Sequence, residues 1–290
     1  MIAREFPVND YKNKDSRWSL YYKEFCMEQY LKTLEYDDVT LFINKFTKYF
    51  KKDAKILDIG CGSGRHSIHL FNNGFKNISA IDLSRHGINN LRKYCPEIKT
   101  GVADATDLPF GDDSYDIVVM VGIVYEIPES RLHNKLFSEI KRVLKPGGKL
   151  LFVNNSPYNL GERIFTITQK IQNIFAKKQL RFFVWRYDRT DVRRLLTNNN
   201  LKLIKEFPCN QYRGVYRFFY GIFVPGSVKK KRSERMIKTN ANPYTLHEYY
   251  LVNKQHSLLT HLGRFLAEFS KKQHSYLFAN TIGYYCVKEA

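Results

Sequence analysis

The feature that most constrains this chain is an alternation of short apolar runs with amphipathic runs between residues 55 and 156. The run 55–60 (KILDIG) is apolar and ends in glycine, and residues 67–71 continue with helical spacing. The run 115–124 (YDIVVMVGIV) is almost wholly apolar, as expected of a strand that is buried on both faces. Strands that alternate with helices predict an α/β fold with a parallel sheet and right-handed crossovers.

The same reasoning extends over most of the chain. The predicted strands are 55–60, 78–84 (ISAIDLS), 98–104 (IKTGVAD), 115–124, 149–156 (KLLFVNNS), 201–207 (LKLIKEF) and the latter part of 275–289. The predicted helices are 18–34, 39–50, 67–71, 86–95, 131–144, a segment within 158–178, and 189–200, the last with Thr190 as its N-cap. We therefore predict a doubly wound, mostly parallel sheet of seven strands.

Positive charge is concentrated in the second half of the chain. Residues 1–150 carry 23 Lys and Arg against 20 Asp and Glu, whereas residues 151–290 carry 24 against 8. Such an excess suits an anionic partner, namely nucleic acid, an anionic membrane surface or an acidic substrate. A solvated, Lys-rich surface explains it equally well.

Three glycines follow the first strand at alternate positions, Gly60, Gly62 and Gly64. A strand that ends in closely spaced glycines before a helix is typical of a nucleotide site, because the backbone can approach the ligand and the helix N-terminus offers free N–H groups. The NAD-binding pattern G-x-G-x-x-G would require glycine where Arg65 stands. Asp82 ends the next strand about 20 residues on, as a ribose-binding site of this type requires.

Four segments in order then carry a family resemblance: LDIGCGSGRH, AIDLS, GVADATDLPFGDDSYDIVV and LKPGGKLLFV. With them the chain resembles the class I S-adenosylmethionine (SAM)-dependent methyltransferases, and within these the group of ubiquinone and menaquinone methylases. The likeness covers about residues 55–156. It implies the Rossmann-like methyltransferase fold, methyltransferase activity and SAM as cofactor.

The resemblance also implies roles for individual residues. The turn of Gly60, Cys61, Gly62 and Gly64 would hold the amino-acid part of SAM, and Asp58 would bind its ammonium group. Asp82 would accept hydrogen bonds from both ribose hydroxyls, while Leu83 packs against the adenine. The cofactor-binding set is completed by Asp104 and Ala105 at the adenine amino group, and by Val121 and Gly122 on the path to the methyl group.

The stretch after the fourth strand departs from the family. Many relatives carry two histidines there, but this chain has Tyr125 and Glu126. A family histidine base therefore cannot be carried over. Tyr125 could position a substrate or relay a proton, and Glu126 could attract a cationic nucleophile or act as a base. An ordinary loop carboxylate is the alternative for Glu126, and a non-catalytic SAM-binding protein is the corresponding alternative for the chain.

Four regions follow from the patterns and the resemblance. Residues 1–50 are predicted to form an N-terminal helical lid. Residues 51–210 form the SAM-binding core, with an inserted helix near 158–180. Residues 211–275 form a basic, aromatic-rich cap insertion, and residues 276–290 return to supply the final strand of the core sheet.

The acceptor of the methyl group must be inferred from the variable regions. The segment 211–238 interleaves Arg213, Arg217 and the basic run 229–232 with seven aromatic or apolar residues: Tyr212, Tyr216, Phe218, Phe219, Tyr220, Ile222 and Phe223. This pattern favours a small or amphiphilic acceptor, such as a lipid, a quinone-like compound or a secondary metabolite, and a peripheral contact with an anionic membrane. The alternative is a tRNA methylase, in which aromatic residues stack on bases. A third interpretation is that these apolar residues form the core of the cap and that the lysines form its solvent-exposed surface.

Cysteine usage and hydropathy predict the compartment. The five cysteines form no CxxC pair, so neither a structural zinc site nor a disulfide framework is expected. The N-terminus lacks the apolar core of a secretory signal, and no run of about 18 apolar residues exists. We expect a cytoplasmic protein without a metal, in peripheral contact with a membrane surface if the basic half binds one. The oligomeric state cannot be inferred from the sequence.

Overall fold

The computed structural model describes residues 31, 38–127, 130–156, 160, 187–209, 265–266, 268–270, 272–273, 276–277, 279 and 281–289. Apart from isolated positions, the predicted helices 18–34 and 158–178 and the insertion 211–275 therefore lie outside the described residues. Their assignments as lid, inserted helix and cap stay predictions.

Seven strands form one sheet in the order β3-β2-β1-β4-β5-β7-β6. They are β1 (Ile56–Ile59), β2 (Ile78–Asp82), β3 (Lys99–Val102), β4 (Tyr115–Val121), β5 (Leu144–Asn155), β6 (Leu201–Cys209) and β7 (Thr281–Lys288). The first five pair in parallel, and β7 lies antiparallel between β5 and β6. The predicted mostly parallel, seven-stranded α/β sheet is confirmed.

Helices cover both faces of the sheet. They are α1 (Asp38–Thr47), α2 (Arg65–Asn72), α3 (Arg85–Tyr94), α4 (Ser130–Val143) and α5 (Arg189–Thr197). Alternate residues of each strand point to opposite faces, so Ile56 of β1 joins the core beneath α1, α2 and α3, whereas Leu57 joins the core beneath α4 and α5. Both side chains are fully buried.

Helix α1 is the described part of the predicted N-terminal lid, and it packs on the sheet face as part of the core. Phe42 of α1 is fully buried against β7, where a Cβ on Gly283 would lie 2.8 Å from its ring. Phe46 stacks on Tyr285 with ring centroids 4.4 Å apart, and Asn44 Oδ1 lies 2.7 Å from His69 Nε2 of α2. Helix α1 therefore packs on one face of the sheet, against β7 and beside α2.

Two local details differ from the sequence-based expectation. The N-cap of α5 is Asp188, whose Oδ1 accepts from the Asp191 N–H at 2.8 Å, and Thr190 already lies inside the helix. Strand β5 begins at Leu144, before the KPGG sequence that was expected to separate helix from strand. Tyr115 of β4 pairs with Leu144, whereas Ile117 pairs with Lys149, so residues 145–148 form a bulge within β5.

Candidate functional site

The chain reverses its winding direction between β1 and β4, and the candidate site lies there. The segment after β1 leads to α2 on one face, while the segment after β4 leads to α4 on the other. Ligands of open α/β sheets bind in the crevice at the carboxyl ends of the strands where this divergence occurs. The two segments meet at one contact, because a Cβ on Gly60 would lie 2.3 Å from Cδ1 of Ile123.

The turn after β1 depends on glycine for both conformation and space. Gly60 has φ +69° and Gly64 has φ +85°, a region that side chains disfavour. A Cβ on Gly64 would lie 2.3 Å from Leu91 of α3. The Gly60 N–H donates to Ile81 O at 2.7 Å, which ties the turn to β2. Gly64 is the N-cap of α2 and supplies no side-chain capping bond, whereas the Asp58 carboxyl accepts from the backbone and the hydroxyl of Ser67 in the first turn of the helix.

Asp58 lies in β1 directly before the turn and is only 2% exposed. Its Oδ2 accepts a hydrogen bond of 2.5 Å from the Ser67 hydroxyl of α2. Burial raises the pKa of Asp58 to about 7, the charge of Asp82 adds to the rise, and the Ser67 bond opposes it. A buried carboxyl group with a shifted pKa at a strand end is a candidate partner for a cationic ligand group.

Asp82 ends β2, and both of its carboxylate oxygens accept backbone hydrogen bonds. The Gly62 N–H donates to Oδ2 at 2.8 Å, and the Ser84 N–H donates to Oδ1 at 2.7 Å. Burial raises the pKa of Asp82, against these two bonds. A carboxylate has about four acceptor positions, so each oxygen keeps one for a ligand hydroxyl. Leu83, 40% exposed, follows at the rim.

Asp104 and Ala105 begin the loop that follows β3. Asp104 Oδ1 accepts from the backbone and the hydroxyl of Thr106, both at 2.9 Å. Helix α4 holds the rest of this loop, since Glu139 Oε2 accepts from the Leu108 N–H at 2.7 Å and Arg142 donates to the Phe110 carbonyl at 2.7 Å. Sequence reasoning missed Glu139 and Arg142, whose i,i+3 spacing resembles that of many solvent-exposed pairs.

The segment after β4 brings Tyr125 back over the end of its own strand. A Cβ on Gly122 would lie 2.9 Å from the Tyr125 hydroxyl oxygen. Val121, Gly122, Tyr125 and Glu126 are all partly buried, and Val124–Glu126 form a short 3-10 helix. The structure thus places the two predicted catalytic residues beside the end of β4, next to the turn that holds Gly60. Their proposed roles remain predictions.

His133 of α4 was missed by the sequence analysis and holds this segment in place. It is fully buried, its Nε2 lies 3.0 Å from the Ile127 carbonyl oxygen, and its Nδ1 is hydrogen-bonded to the Tyr187 hydroxyl. Since a carbonyl only accepts, Nε2 carries the proton and Nδ1 accepts from Tyr187. Burial lowers the pKa of His133 and raises that of Tyr187 to about 12, so both stay neutral near pH 7.

Cys61 occupies the glycine turn but does not have the properties of a nucleophile. Its thiol is buried, and burial together with the charges of Asp58 and Asp82 raises its pKa well above the usual range. A nucleophilic cysteine requires the thiolate. Cys61 therefore contributes its backbone and its volume to the turn.

These residues fit SAM by their chemistry. A buried carboxyl group directly precedes the turn, a second carboxylate already bonded to the Gly62 amide ends the next strand, and the N-cap of α2 is a glycine that makes no capping bond. Cationic, dihydroxy and carboxylate groups are the complements of these three features. A cavity of about 450 Å³ lined by Arg193, Thr197 and Glu289 lies at the opposite edge of the sheet and contributes nothing to this site.

Comparisons with known proteins agree with this geometry. Residues 57–152 match the model of a protein family described as "Methyltransferase domain". The chain is 28% identical over 145 residues to an eEF1A lysine and N-terminal methyltransferase homolog of Drosophila melanogaster, covering 46% of this chain and 22% of that protein. It is 29% identical over 126 residues to phthiotriol/phenolphthiotriol dimycocerosates methyltransferase 1 of Mycobacterium ulcerans, covering 42% and 45%. The chain thus spans less than half the length of these curated relatives.

A solved structure extends the likeness beyond the matched domain. The structure of phosphoethanolamine N-methyltransferase 2 of Haemonchus contortus, in complex with phosphomonomethylethanolamine and S-adenosylhomocysteine, aligns with a TM-score of 0.50. That alignment has 17% identity and covers 87% of this chain and 52% of that one. The predicted Rossmann-like methyltransferase fold is confirmed. The match to the methyltransferase domain confirms the predicted methyltransferase and supports SAM as its cofactor. Among the described residues, no helix has the length and apolar composition to cross a membrane.

Proposed function

We propose that this chain is a SAM-dependent methyltransferase whose acceptor is a small or amphiphilic molecule. The observation that best supports SAM binding is the hydrogen bonding of Asp82. Its carboxylate is already bonded to the Gly62 amide at 2.8 Å, while each oxygen keeps an acceptor position free. The site is therefore preorganised, and ribose hydroxyls would meet a carboxylate that needs no rearrangement.

Each residue has one task in this proposal. Asp58, ionised, holds the ammonium group, while Gly60 and Gly62 let the backbone approach the amino-acid part. Asp104 and Leu83 hold the adenine. When bound, SAM supplies a methyl group on a good leaving group, so alignment and exclusion of water account for most of the acceleration. Tyr125 and Glu126 orient the acceptor, and Glu126 takes a proton where the acceptor carries one.

Isothermal titration calorimetry tests the cofactor. We expect saturable binding of SAM and of S-adenosylhomocysteine, with loss of affinity in Asp82→Ala. NAD serves as the control ligand, because a glycine turn alone does not distinguish the two cofactors. Tight binding of NAD without binding of SAM would overturn the proposal.

The acceptor class rests on where the variable segments leave the core. Strands β5 and β6 end, and β7 begins, at the same edge of the sheet as the candidate site, since β7 is antiparallel to both neighbours. The insertions 157–186 and 210–280 start and end at this edge. Within them, the Leu160 N–H donates to Leu277 O at 2.9 Å, which joins the two segments. We propose that both cover the acceptor.

The aromatic and basic composition of residues 211–238 supports an amphiphilic acceptor and contact with an anionic membrane. A lipid or quinone-like compound, as in the ubiquinone-methylase group, fits this composition. The relative from Mycobacterium ulcerans is named for phthiotriol and phenolphthiotriol dimycocerosates, and the relative from Drosophila melanogaster is named for eEF1A lysine and the N-terminus, so similar chains are named for different acceptors.

Flotation with anionic liposomes tests the acceptor class. We expect association that persists at moderate salt and falls when Phe218, Phe219 and Phe223 become serine, because each apolar ring is worth up to about 1.5–3 kcal/mol when buried. If purified protein instead retains nucleic acid and methylates bulk tRNA, the RNA alternative replaces this one. Absence of both at low salt would leave the basic face as solvated surface around a small-molecule site.

A further inference from the structure

Asn154 near the end of β5 is a buried polar side chain without a partner. It is 1% exposed, and in the part of the chain that the structure describes neither its amide oxygen nor its amide nitrogen makes a hydrogen bond. Leaving a buried amide unpaired is costly, and such groups in native proteins have a specific explanation. Asn154 therefore requires one.

The neighbours of Asn154 on the core side are aromatic or apolar. Two residues earlier on the same face, Phe152 stacks on Tyr284 with centroids 4.6 Å apart and packs edge-on against Phe137 at 5.4 Å. All three rings are almost fully buried. Ile282, which pairs with Asn154 across β5 and β7, is apolar and buried. None of these four side chains is bonded to the Asn154 amide.

On the other side Asn154 adjoins the candidate site. Val153 pairs with Val121 of β4, and its carbonyl accepts from the Gly122 N–H at 3.1 Å. Asn154 thus follows the strand pair that leads to Gly122 and Tyr125. Ser156, two residues further on the same face, is also buried, so β5 changes from apolar to polar where it reaches the edge of the site.

We propose that the Asn154 amide binds a neutral polar group of the methyl acceptor, a hydroxyl or carbonyl, at the end of β5. This inference rests on the proposed methyltransferase function and deepens it. An amide offers two donors and one acceptor oxygen and carries no charge, so it pairs with a hydroxyl at little desolvation cost but does not compensate a buried ion. The subsite would select acceptors that place such a group at the end of β5, where the Val153 carbonyl bonds to the Gly122 N–H.

The first test compares the stability of Asn154→Leu with that of Asn155→Leu by urea unfolding in the absence of ligand. Leucine has the same number and branching of side-chain heavy atoms as asparagine, with bulkier methyl groups, and Asn155 is the adjacent residue on the opposite face. If the amide is reserved for a ligand, Asn154→Leu raises the folding equilibrium constant, by about 5-fold or more, because an unsatisfied group is removed. A decrease relative to Asn155→Leu would mean that the amide has an internal partner and would overturn the proposal.

The second test follows the Asn154 side-chain amide by NMR in protein saturated with S-adenosylhomocysteine. Its ¹⁵N resonance is identified by its absence from the Asn154→Leu spectrum, and phenol is the probe. We expect a saturable shift in wild type and in Asn155→Leu. The subsite would be overturned if the amide resonance shows no saturable shift. It would also be overturned if the amide stays in contact with bound water at saturating phenol.

Calorimetry with S-adenosylhomocysteine on the same samples separates this proposal from the proposed function. Equal affinity in wild type and Asn154→Leu, combined with loss of the phenol response, supports the subsite. If S-adenosylhomocysteine does not bind wild type at all, the proposed function fails instead. Fivefold or greater loss of S-adenosylhomocysteine affinity in Asn154→Leu would assign the residue to the cofactor and overturn its role toward the acceptor.

Discussion

The half of the sheet made of β3, β2, β1 and β4 differs from the half made of β5, β7 and β6 in charge and in chain connection. The first half belongs to the nearly balanced part of the sequence, and each of its parallel strands follows the previous one after a short loop and helix or a short loop alone. Most of the second half belongs to the basic part, which begins within β5, and long segments separate β5 from β6 and β6 from β7.

The two halves also differ in how the polar side chains at their strand ends are hydrogen-bonded. In the first half, polar residues at strand ends are held by their own neighbours: Asp82 by Gly62 and Ser84, and Asp104 by Thr106. In the second half, Asn154 reaches the same edge without a partner. Under the proposed function, the first half would hold the cofactor in a preorganised site, and the second half would leave the Asn154 amide for the acceptor.

The largest effect is expected at the contact between the two loops of the first half. Gly60→Ala places a Cβ 2.3 Å from Ile123, whereas Gly147→Ala, at a similar positive φ, places one with no atom within 4 Å. Both lose about 1–2 kcal/mol to the backbone conformation, and Gly60→Ala loses a further ~1–3 kcal/mol to overpacking. Urea unfolding measures the difference. Adding Ile123→Ala to Gly60→Ala should remove the overpacking part of the loss but not the backbone part, and equal stabilities of the two glycine variants would refute the contact.

Asp82→Asn tests the preorganised carboxylate. The amide keeps one acceptor oxygen, so one of the two charged bonds, to Gly62 or to Ser84, is lost together with part of the ribose interaction. Removing a charged hydrogen bond costs about 1.5–3 kcal/mol, so affinity for S-adenosylhomocysteine should fall about 10- to 150-fold by calorimetry. Asp107→Asn, on an exposed position of the next loop, is the control. An unchanged affinity in Asp82→Asn would show that the first half does not bind the cofactor through this residue.

Asp58 predicts a pH dependence of SAM binding. Because its pKa is raised to about 7, it is largely protonated at pH 6 and ionised at pH 8. Only the ionised form attracts an ammonium group, so affinity should rise about tenfold between pH 6 and pH 8. In the ligand-free protein, the same shift lowers stability as the pH rises from about 4 toward 7, because the folded state binds the proton more tightly. Asp58→Asn should abolish both trends, and a wild-type affinity independent of pH would contradict this role.

The first half was predictable from the sequence because its signals are local. The strand KILDIG, the glycine turn and Asp82 lie within one strand–turn–helix–strand unit, whose geometry is common to nucleotide sites. His133 was not predictable, because a histidine on an amphipathic helix gives no indication that it meets the Ile127 carbonyl and Tyr187, 54 residues away in sequence. Asn154 was read only as part of a strand, since its lack of a partner depends on three-dimensional packing. The Asp188 cap was missed because Thr190 offered an equivalent side chain two residues later.

The smallest expected effect concerns the link between the two halves. Tyr187, just before α5, donates to His133, which in turn holds the Ile127 carbonyl at the end of the segment that contains Tyr125. Tyr187→Phe removes one neutral hydrogen bond and leaves Nδ1 of a buried imidazole unpaired, a loss of about 1 kcal/mol in urea unfolding. Tyr94→Phe, on an exposed position of α3, is the control.

If the halves act separately, Tyr187→Phe leaves the affinity for S-adenosylhomocysteine unchanged, because Asp58 is held by Ser67, and Asp82 by Gly62 and Ser84, in the first half. The variant should also lose less of its stability in acid than the wild type does, because losing the Tyr187 donor moves the lowered pKa of His133 back toward its value in the unfolded chain. The folded and unfolded states then differ less in bound protons as the pH falls below about 6.5. A tenfold loss of cofactor affinity would instead show that the second half affects the cofactor site of the first half through His133. That result would contradict the separation of the two halves.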